Sequence, residues 1–466
     1  MHIFASPHAL ITLAALIAGG SLLLSPRAKT TAAFFAGTDA NGRAPGLLTL
    51  IFSQVTTWIF ARSLLTAAIL GYYYGVAGAL AYTAYYLSFL TGMMIVARLR
   101  RTGARCLQTW LRTQYGRTGV ACYNVVIALR LMSEVFANLI VVGLIFSAAY
   151  GGSEQAGRIA MIILALVALT YSALGGLRAS LRTDVAQMTL FLGAFLIAFT
   201  VMFVSPDFSI TKVLRADGIA GAYNGWVLFL VALLQIPSYP AHDPVMMDRG
   251  FLADEQTTKR AFLHAFWLSA LSIFGFALFG VQASVISADL VNSQLLGTWQ
   301  GMFGPFVYFL IAAALLISAM STLDSALASA ARLVIIEMRL CKTTIRNGRI
   351  AMALFMLFGV IFLLGDTKEL FAAVAVSGTA SMFLTPVLVL GLGLGWRIPL
   401  WSYLTAFSAV ILGAIAYFYQ SSDLVIVLFG AGHKYERLLF ICLTVLLIGF
   451  SAAIIGVLMR RRLAQA

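Results

Sequence analysis

The segment IAAALLISAMSTLDSALASAARL carries Ser318, Ser321, Thr322, Ser325 and Ser329 at i, i+3, i+4, i+7 and i+11. That spacing sets the hydroxyls on one helix face. Hydroxyl and carbonyl oxygens without a charged ligand suit a weakly held, hard, monovalent cation, whereas a divalent ion normally recruits carboxylates. The competing account is a Ser/Ala seam for helix packing. A second polar cluster, Ser53, Gln54, Thr56 and Thr57 followed by Arg62, interrupts IFSQVTTWIFARSLL. Four polar residues in five exceed what packing requires and point to a binding segment. A third feature is Arg130 and Glu134 in IALRLMSEVFANLIVVG. As i, i+4 neighbours they form a self-neutralising pair or supply contacts to a solute or to Arg62. Finally, Pro237, Pro240 and Pro244 in QIPSYPAHDP remove backbone donors and break or end a helix.

The elements that hold these residues are set by composition. Of 466 residues, 61% are hydrophobic and only 10% charged, against about 25% charged in a soluble domain. With a mean hydropathy of +0.95, this composition describes a polytopic helical membrane protein. A membrane-spanning β-barrel is excluded because the apolar runs are continuous rather than alternating. Segments of about 20 apolar residues, the length that spans about 30 Å of hydrocarbon, fall near 8–25, 45–71, 76–97, 119–149, 157–174, 185–205, 222–242, 261–287, 303–334, 350–365, 369–394, 398–419 and 438–459. Alternate loops on one side hold 23 Lys and Arg and the opposite loops hold 6, with Arg62 and Arg130 inside helices. The asymmetry places the N-terminus outside and the C-terminus in the cytoplasm. No linker is long enough for a second domain, so residues 1–466 read as one transmembrane unit.

The net charge of +14 reports this orientation and not a nucleic-acid surface, since the basic residues lie in short runs between apolar stretches. Cys106, Cys122, Cys341 and Cys442 contain no CxxC pair and give neither a disulfide framework nor a zinc site. There is no Gly-Lys dipeptide for a phosphate loop, no His-Glu for a zinc hydrolase and no G-x-S-x-G elbow. The expectation is a protein that is not an enzyme and needs no organic cofactor.

Two stretches resemble the sodium/solute symporter family. YSALGGLRASLRTDVAQ at 171–187 is similar to that family's signature, and SAMSTLDSALASA at 318–330 to its sodium-binding helix. The similarity extends to AAFFAGTDANGRAPGLLTLIFSQVTTWIF at 32–60 and to the thirteen-helix count. The resemblance implies a five-plus-five inverted-repeat core of the LeuT type, helices 2–6 and 7–11, flanked by helix 1 and helices 12–13. It also implies a sodium site from the backbone carbonyls of Phe52, Val55 and Ser318 and the hydroxyls of Ser321 and Thr322. Asp184 would stand at the cytoplasmic ion exit, outside the ligand set. The solute would lie near Gln54, Thr56, Thr57 and helix 4. Gln54 stands where some members carry Asp, the helix 2 break lacks Gly and Pro, and Arg62 matches no family residue.

The function expected is sodium-coupled symport of a small organic solute into the cell across the cytoplasmic membrane, by alternating access. Its partners are sodium, the solute and the bilayer, with a monomer as the working unit and no nucleic acid. The intramembrane residues Arg62, Arg130 and Glu134 join the solute contacts, and the arginines favour a carboxylate. Alternatives are a transporter-like sensor, or proton coupling, which the hydroxyl face argues against because hydroxyls do not titrate near neutral pH.

Overall fold

The computed structural model describes residues 6–286, 295–363 and 378–465. Parts of three expected segments, at 287, 364–365 and 369–377, lie outside the described residues. The described elements are all helical: α1 (Pro7–Leu24), α2 (Thr31–Ala36), α3 (Leu47–Trp58), α4 (Ala61–Ala84), α5 (Ser88–Arg101), α6 (Leu107–Ala149), α7 (Glu154–Val204), α8 (Ile210–Leu214), α9 (Tyr223–Gln235), α10 (Pro244–Arg249), α11 (Glu255–Ile286), α12 (Leu295–Arg332) and α13 (Ile345–Leu363), then α14 (Gly378–Gly393), α15 (Leu400–Phe418), α16 (Asp423–Phe429) and α17 (Lys434–Gln465). Eight helical stretches are long and apolar enough to cross a membrane, and α3, α9 and α14 are shorter apolar helices. The molecule is a multi-pass membrane protein.

Each expected segment has its helix, though several are joined. At about 1.5 Å per residue, the 51 residues of α7 would reach about 77 Å if straight, far more than one crossing. Gly176 (φ 59°, ψ −144°) interrupts α7 and serves the fifth and sixth segments together. Its backbone enters the left-handed region that glycine tolerates, and a Cβ there would sit 2.4 Å from the Phe34 carbonyl. The sixth segment thus begins near 177 and not at 185, so Arg178, Arg182 and Asp184 are helical and not in a linker. Tyr74 and Gly75 divide α4 similarly between the second and third segments, and the 210–220 stretch folds onto this break through Ile219 N–H to Tyr72 O (3.2 Å) and Ala220 N–H to Tyr73 O (2.8 Å). The linker expected at 98–118 carries the first turns of α6, set off by Gly116.

Burial separates centre from periphery. In the most apolar window of α12, 83% of residues are buried, and of α4–α5, 78%, against 22% for α1, 44% for α15 and 39% for α17. Exposure is not confined to α1, α15 and α17, since the corresponding window of α7 is also only 39% buried. The centre is held by close backbone approach. A Cβ on Gly280 would lie 1.8 Å from the Ala68 carbonyl, and one on Gly71 2.4 Å from the Ala277 carbonyl, so α4 and α11 touch through small residues, as packed membrane helices do. Gly280→Ala should therefore destabilise the protein by about 1–3 kcal/mol through overpacking. Gly19→Ala in α1, where a Cβ meets nothing within 4 Å, should leave the melting temperature in detergent unchanged. Equal melting of the two variants would contradict the packing account.

Candidate functional site

Two helical runs are interrupted inside the buried bundle. The first break lies between Trp58 and Ala61, where Ile59 (φ −88°, ψ 75°) and Phe60 (φ −104°, ψ 157°) leave helical geometry. Freed backbone groups inside a membrane must find partners, and here Ser63 supplies most of them. Its hydroxyl accepts from Phe60 N–H (3.0 Å) and lies 2.7 Å from the Phe60 carbonyl and 3.0 Å from the Trp58 carbonyl. Tyr86 donates to the Trp58 carbonyl (2.7 Å), and Ser318 donates to that of Ile59. A serine thus performs the office for which Gly or Pro was sought in the sequence.

The second break separates α9 from α10. A short 3-10 turn, Tyr239–His242, leads to Asp243, whose carboxylate caps α10 by accepting from Met246 N–H (2.9 Å). Pro244 occupies the first turn of α10, where its missing donor costs nothing. The prolines therefore do break the helix.

Between the breaks lies a buried polar and aromatic cluster. Trp58 packs on Tyr239 with ring centroids 5.1 Å apart, and Tyr239 on Tyr85 at 5.5 Å. Arg130 pairs closely with Glu134 and reaches Asp243 at 3.6 Å. The i, i+4 pair is present, with Asp243 as a third member that sequence spacing did not reveal. Arg62 is 0% exposed, and none of its three guanidinium nitrogens has a hydrogen-bond partner. It stacks 5.4 Å from the Phe60 ring centroid and makes no ion pair among the described residues. Gln54 donates weakly to the Met246 carbonyl (3.4 Å), joining α3 to α10, while its own carbonyl oxygen is buried without a partner. Thr56 and Thr57 both donate to the Ser53 carbonyl (3.0 and 2.7 Å), so their hydroxyls serve their own helix in this arrangement.

Toward the Arg-rich side is a second buried chamber, formed by α3, α7, α10 and α12. Asp184 accepts from Ser53 (2.6 Å) through one oxygen and from Ser321 (2.7 Å) through the other. The carboxylate expected at the exit therefore touches a proposed ion ligand directly. Thr322 donates to the Ser318 carbonyl (3.0 Å), which leaves its oxygen lone pairs free to accept a cation. Phe52, Val55 and Ser318 carry the other proposed ligands, backbone carbonyls on the facing helices α3 and α12. The sequence reading missed two charged members. Asp324, one turn from Ser321, accepts from Thr183 (2.8 Å) and keeps one buried oxygen without a partner. Arg249, counted with the loop residues, is buried beside Asp184 at 3.9 Å. The description of this face as hydroxyl-only is thereby corrected. The signal available was the Asp in STLDS and the Asp-Arg pair that follows the proline-broken helix.

Beneath the chamber, Arg332 pairs with Asp248 (3.1 Å), Ser329 donates to Asp248 (2.7 Å), and Gln108 donates to Glu337. These contacts tie α10 to α12 and α6 to the turn of π-helix, Leu333–Glu337, that follows α12.

No family model matches the chain, and no curated protein matches it in sequence. Solved structures do. A sodium-coupled sialic acid symporter in a substrate-bound, outward-open state aligns over 96% of this chain and 97% of its own at 17% identity, with a TM-score of 0.72. Mhp1, a nucleobase-cation-symport-1 family transporter, aligns in a closed conformation with bromovinylhydantoin bound over 92% of this chain and 94% of its own, at 12% identity and a TM-score of 0.60. Its inward-facing conformation, also 12% identical, aligns over 89% and 92% with a TM-score of 0.54. Two broken helices, a buried central bundle and end-to-end alignment with these transporters give one conclusion: the chain has the all-helical, five-plus-five inverted-repeat fold of sodium-coupled symporters.

Proposed function

We propose that the protein is a secondary active transporter that couples inward sodium flow to uptake of a small, carboxylate-bearing organic solute by alternating access. The observation that carries this reading is the convergence of both broken helices on one buried polar system, α3 through Ser53 and α10 through Arg249. Broken helices lining a buried polar site are how secondary transporters build ion and solute sites in a fold that rocks around them. Sodium is assigned to the Phe52, Val55 and Ser318 carbonyls with the Ser321 and Thr322 hydroxyls, and Asp184 hydrogen-bonds that set. The solute is assigned to the cluster of Gln54, Thr56, Thr57, Arg62, Arg130 and Glu134. Sodium bridging α3 and α12 favours the outward-open state that binds solute, and the coupling is reciprocal.

Proton coupling is the second reading, and the specific observation in its favour is the pair of buried carboxylates, Asp184 and Asp324, in the same chamber. Uptake into proteoliposomes decides between the two. Labelled amino acids, monocarboxylates and sugar acids are offered with a sodium, potassium or proton gradient in turn. Sodium-driven accumulation of a carboxylate is expected. Accumulation driven by the proton gradient in sodium-free buffer would establish the second reading, and binding without flux would establish a sensor.

A further inference from the structure

The polar side chains of residues 53–66, on either side of the first break, fall into two groups. Ser53 donates to Asp184, Thr56 and Thr57 donate to the Ser53 carbonyl, and Ser63 holds the Trp58 and Phe60 backbone. Gln54, Trp58, Arg62 and Thr66 instead keep buried polar atoms without hydrogen-bond partners: Gln54 Oε1, Trp58 Nε1, all three guanidinium nitrogens of Arg62 and the Thr66 hydroxyl. None of the four residues is more than 4% exposed. The second group is not scattered. Gln54 and Trp58 are i, i+4 on α3, and Arg62 and Thr66 are i, i+4 on α4, so each pair shares one helix face. Tyr239 is a common wall. Trp58 packs on its ring at 5.1 Å, the Arg130 guanidinium lies 6.0 Å from it, and Arg62 is within electrostatic reach of both Tyr239 and Arg130. Stranding these groups away from water is costly, and a ligand that met them would offset the cost.

Their chemistry says what such a ligand carries. Arg62 and Trp58 only donate, and a carboxylate only accepts. Gln54 Oε1 only accepts. Its orientation is set by its own Nε2, which donates to the Met246 carbonyl (3.4 Å), since the flipped amide would bring two carbonyl oxygens together. A plain carboxylate therefore answers Arg62 and Trp58 but leaves Gln54 Oε1 stranded, so the solute brings a donor as well. That donor lies one helical turn, about 6 Å along the axis, from the Trp58 contact. Hydrogen bonds of about 2.9 Å take up much of this span, which leaves the short separation between a carboxylate oxygen and a group on the next carbon. Thr66, a turn beyond Arg62, is not needed for a solute of this length. Resting on the carboxylate-symport reading, we infer that the solute is a 2-hydroxy or 2-amino acid, with its carboxylate on Arg62 and Trp58 Nε1 and its hydroxyl or ammonium donating to Gln54 Oε1. The two classes share one chemistry, a donor on the carbon beside the carboxylate. Gln54 then sets specificity, because a buried acceptor built for such a donor rejects an acid that lacks it.

Isothermal titration of the purified full-length protein in sodium buffer compares acids on two matched frames: propionate, lactate and alanine, then 3-phenylpropionate, phenyllactate and phenylalanine. On the frame that fits, the hydroxy or amino acid should bind about tenfold to a hundredfold more tightly than the plain acid, and the tighter of the two names the donor. Gln54→Met keeps the length of the side chain and removes the acceptor, while the Met246 carbonyl retains the Gly250 N–H (3.2 Å). In that variant the preference should shrink to about twofold or less. Trp58→Phe keeps the ring but not the N–H and should weaken plain and substituted acids alike, and no loss would overturn the Trp58 contact. Equal binding of plain and substituted acids by the wild type overturns the inference with no variant needed, as does a preference that survives in folded Gln54→Met. Failure of all six acids to bind, with another carboxylate taken up on a sodium gradient, overturns the inference and leaves symport standing. If no carboxylate is taken up on that gradient, the reading on which the inference rests is defeated.

Discussion

Asp184→Asn raises the sodium concentration for half-maximal uptake by about tenfold to a hundredfold. The expectation follows from the two hydroxyls that the carboxylate orders, Ser53 from α3 and Ser321 from α12. Hydrogen bonds to a charged group contribute about 1.5–3 kcal/mol each, and about 1.4 kcal/mol is a factor of ten. An amide keeps the size of the side chain but removes the charge, and its NH2 end donates where the carboxylate accepted. The Ser321 hydroxyl then loses its fixed direction, and the chamber loses the negative charge that attracts the ion. Ser321→Ala with Thr322→Ala should shift the same sodium curve while leaving solute binding at saturating sodium nearly unchanged. Read from sequence, Asp184 lay outside the ligand set, and its loss would have slowed ion release with binding intact. Contact with Ser321 changes the expected phenotype from turnover to affinity. An unaltered sodium curve in a folded Asp184→Asn protein, with turnover reduced, would return Asp184 to an exit role.

The helices were legible because hydrocarbon imposes its own thickness on apolar runs, and the serine face of α12 was legible because its period is local. Breaks announced by proline could be read, since the physical cause lies in the residue itself. The break after Trp58 was placed less well because Ser63 makes it through side-chain bonds to the Trp58 and Phe60 backbone, a role that composition does not betray. Charge counting failed at Arg249 for a related reason. A basic residue after an apolar segment reads as a wet loop, and only the return of α10 into the bundle buries it. Asp184 meets Ser53 across 131 residues and Ser321 across 137. No spacing rule reaches that far, so the two charged clusters had to be seen in three dimensions.

Arg62→Gln separates a solute anchor from a structural charge. Arg130 already has Glu134 and Asp243 as partners, whereas the three nitrogens of Arg62 have none and are buried. A guanidinium buried without a partner is costly, and it is matched at once when a carboxylate enters to form the forked, charge-assisted pair that Arg favours. Glutamine can offer one neutral donor in its place. Apparent affinity for a carboxylate solute should therefore fall about tenfold to a hundredfold, while the amide analogue, which gains nothing from the charge, should lose about threefold or less. If Arg62 instead balanced Glu134, its replacement would harm both solutes and folding alike, and Glu134→Gln added to Arg62→Gln would restore them by removing the stranded carboxylate. Competition by the acid and the amide in the two single variants and the double variant decides between these cases. Rescue in the double variant would end the anchor assignment. A loss confined to the acid, unrelieved by the second substitution, would place the solute carboxylate on Arg62.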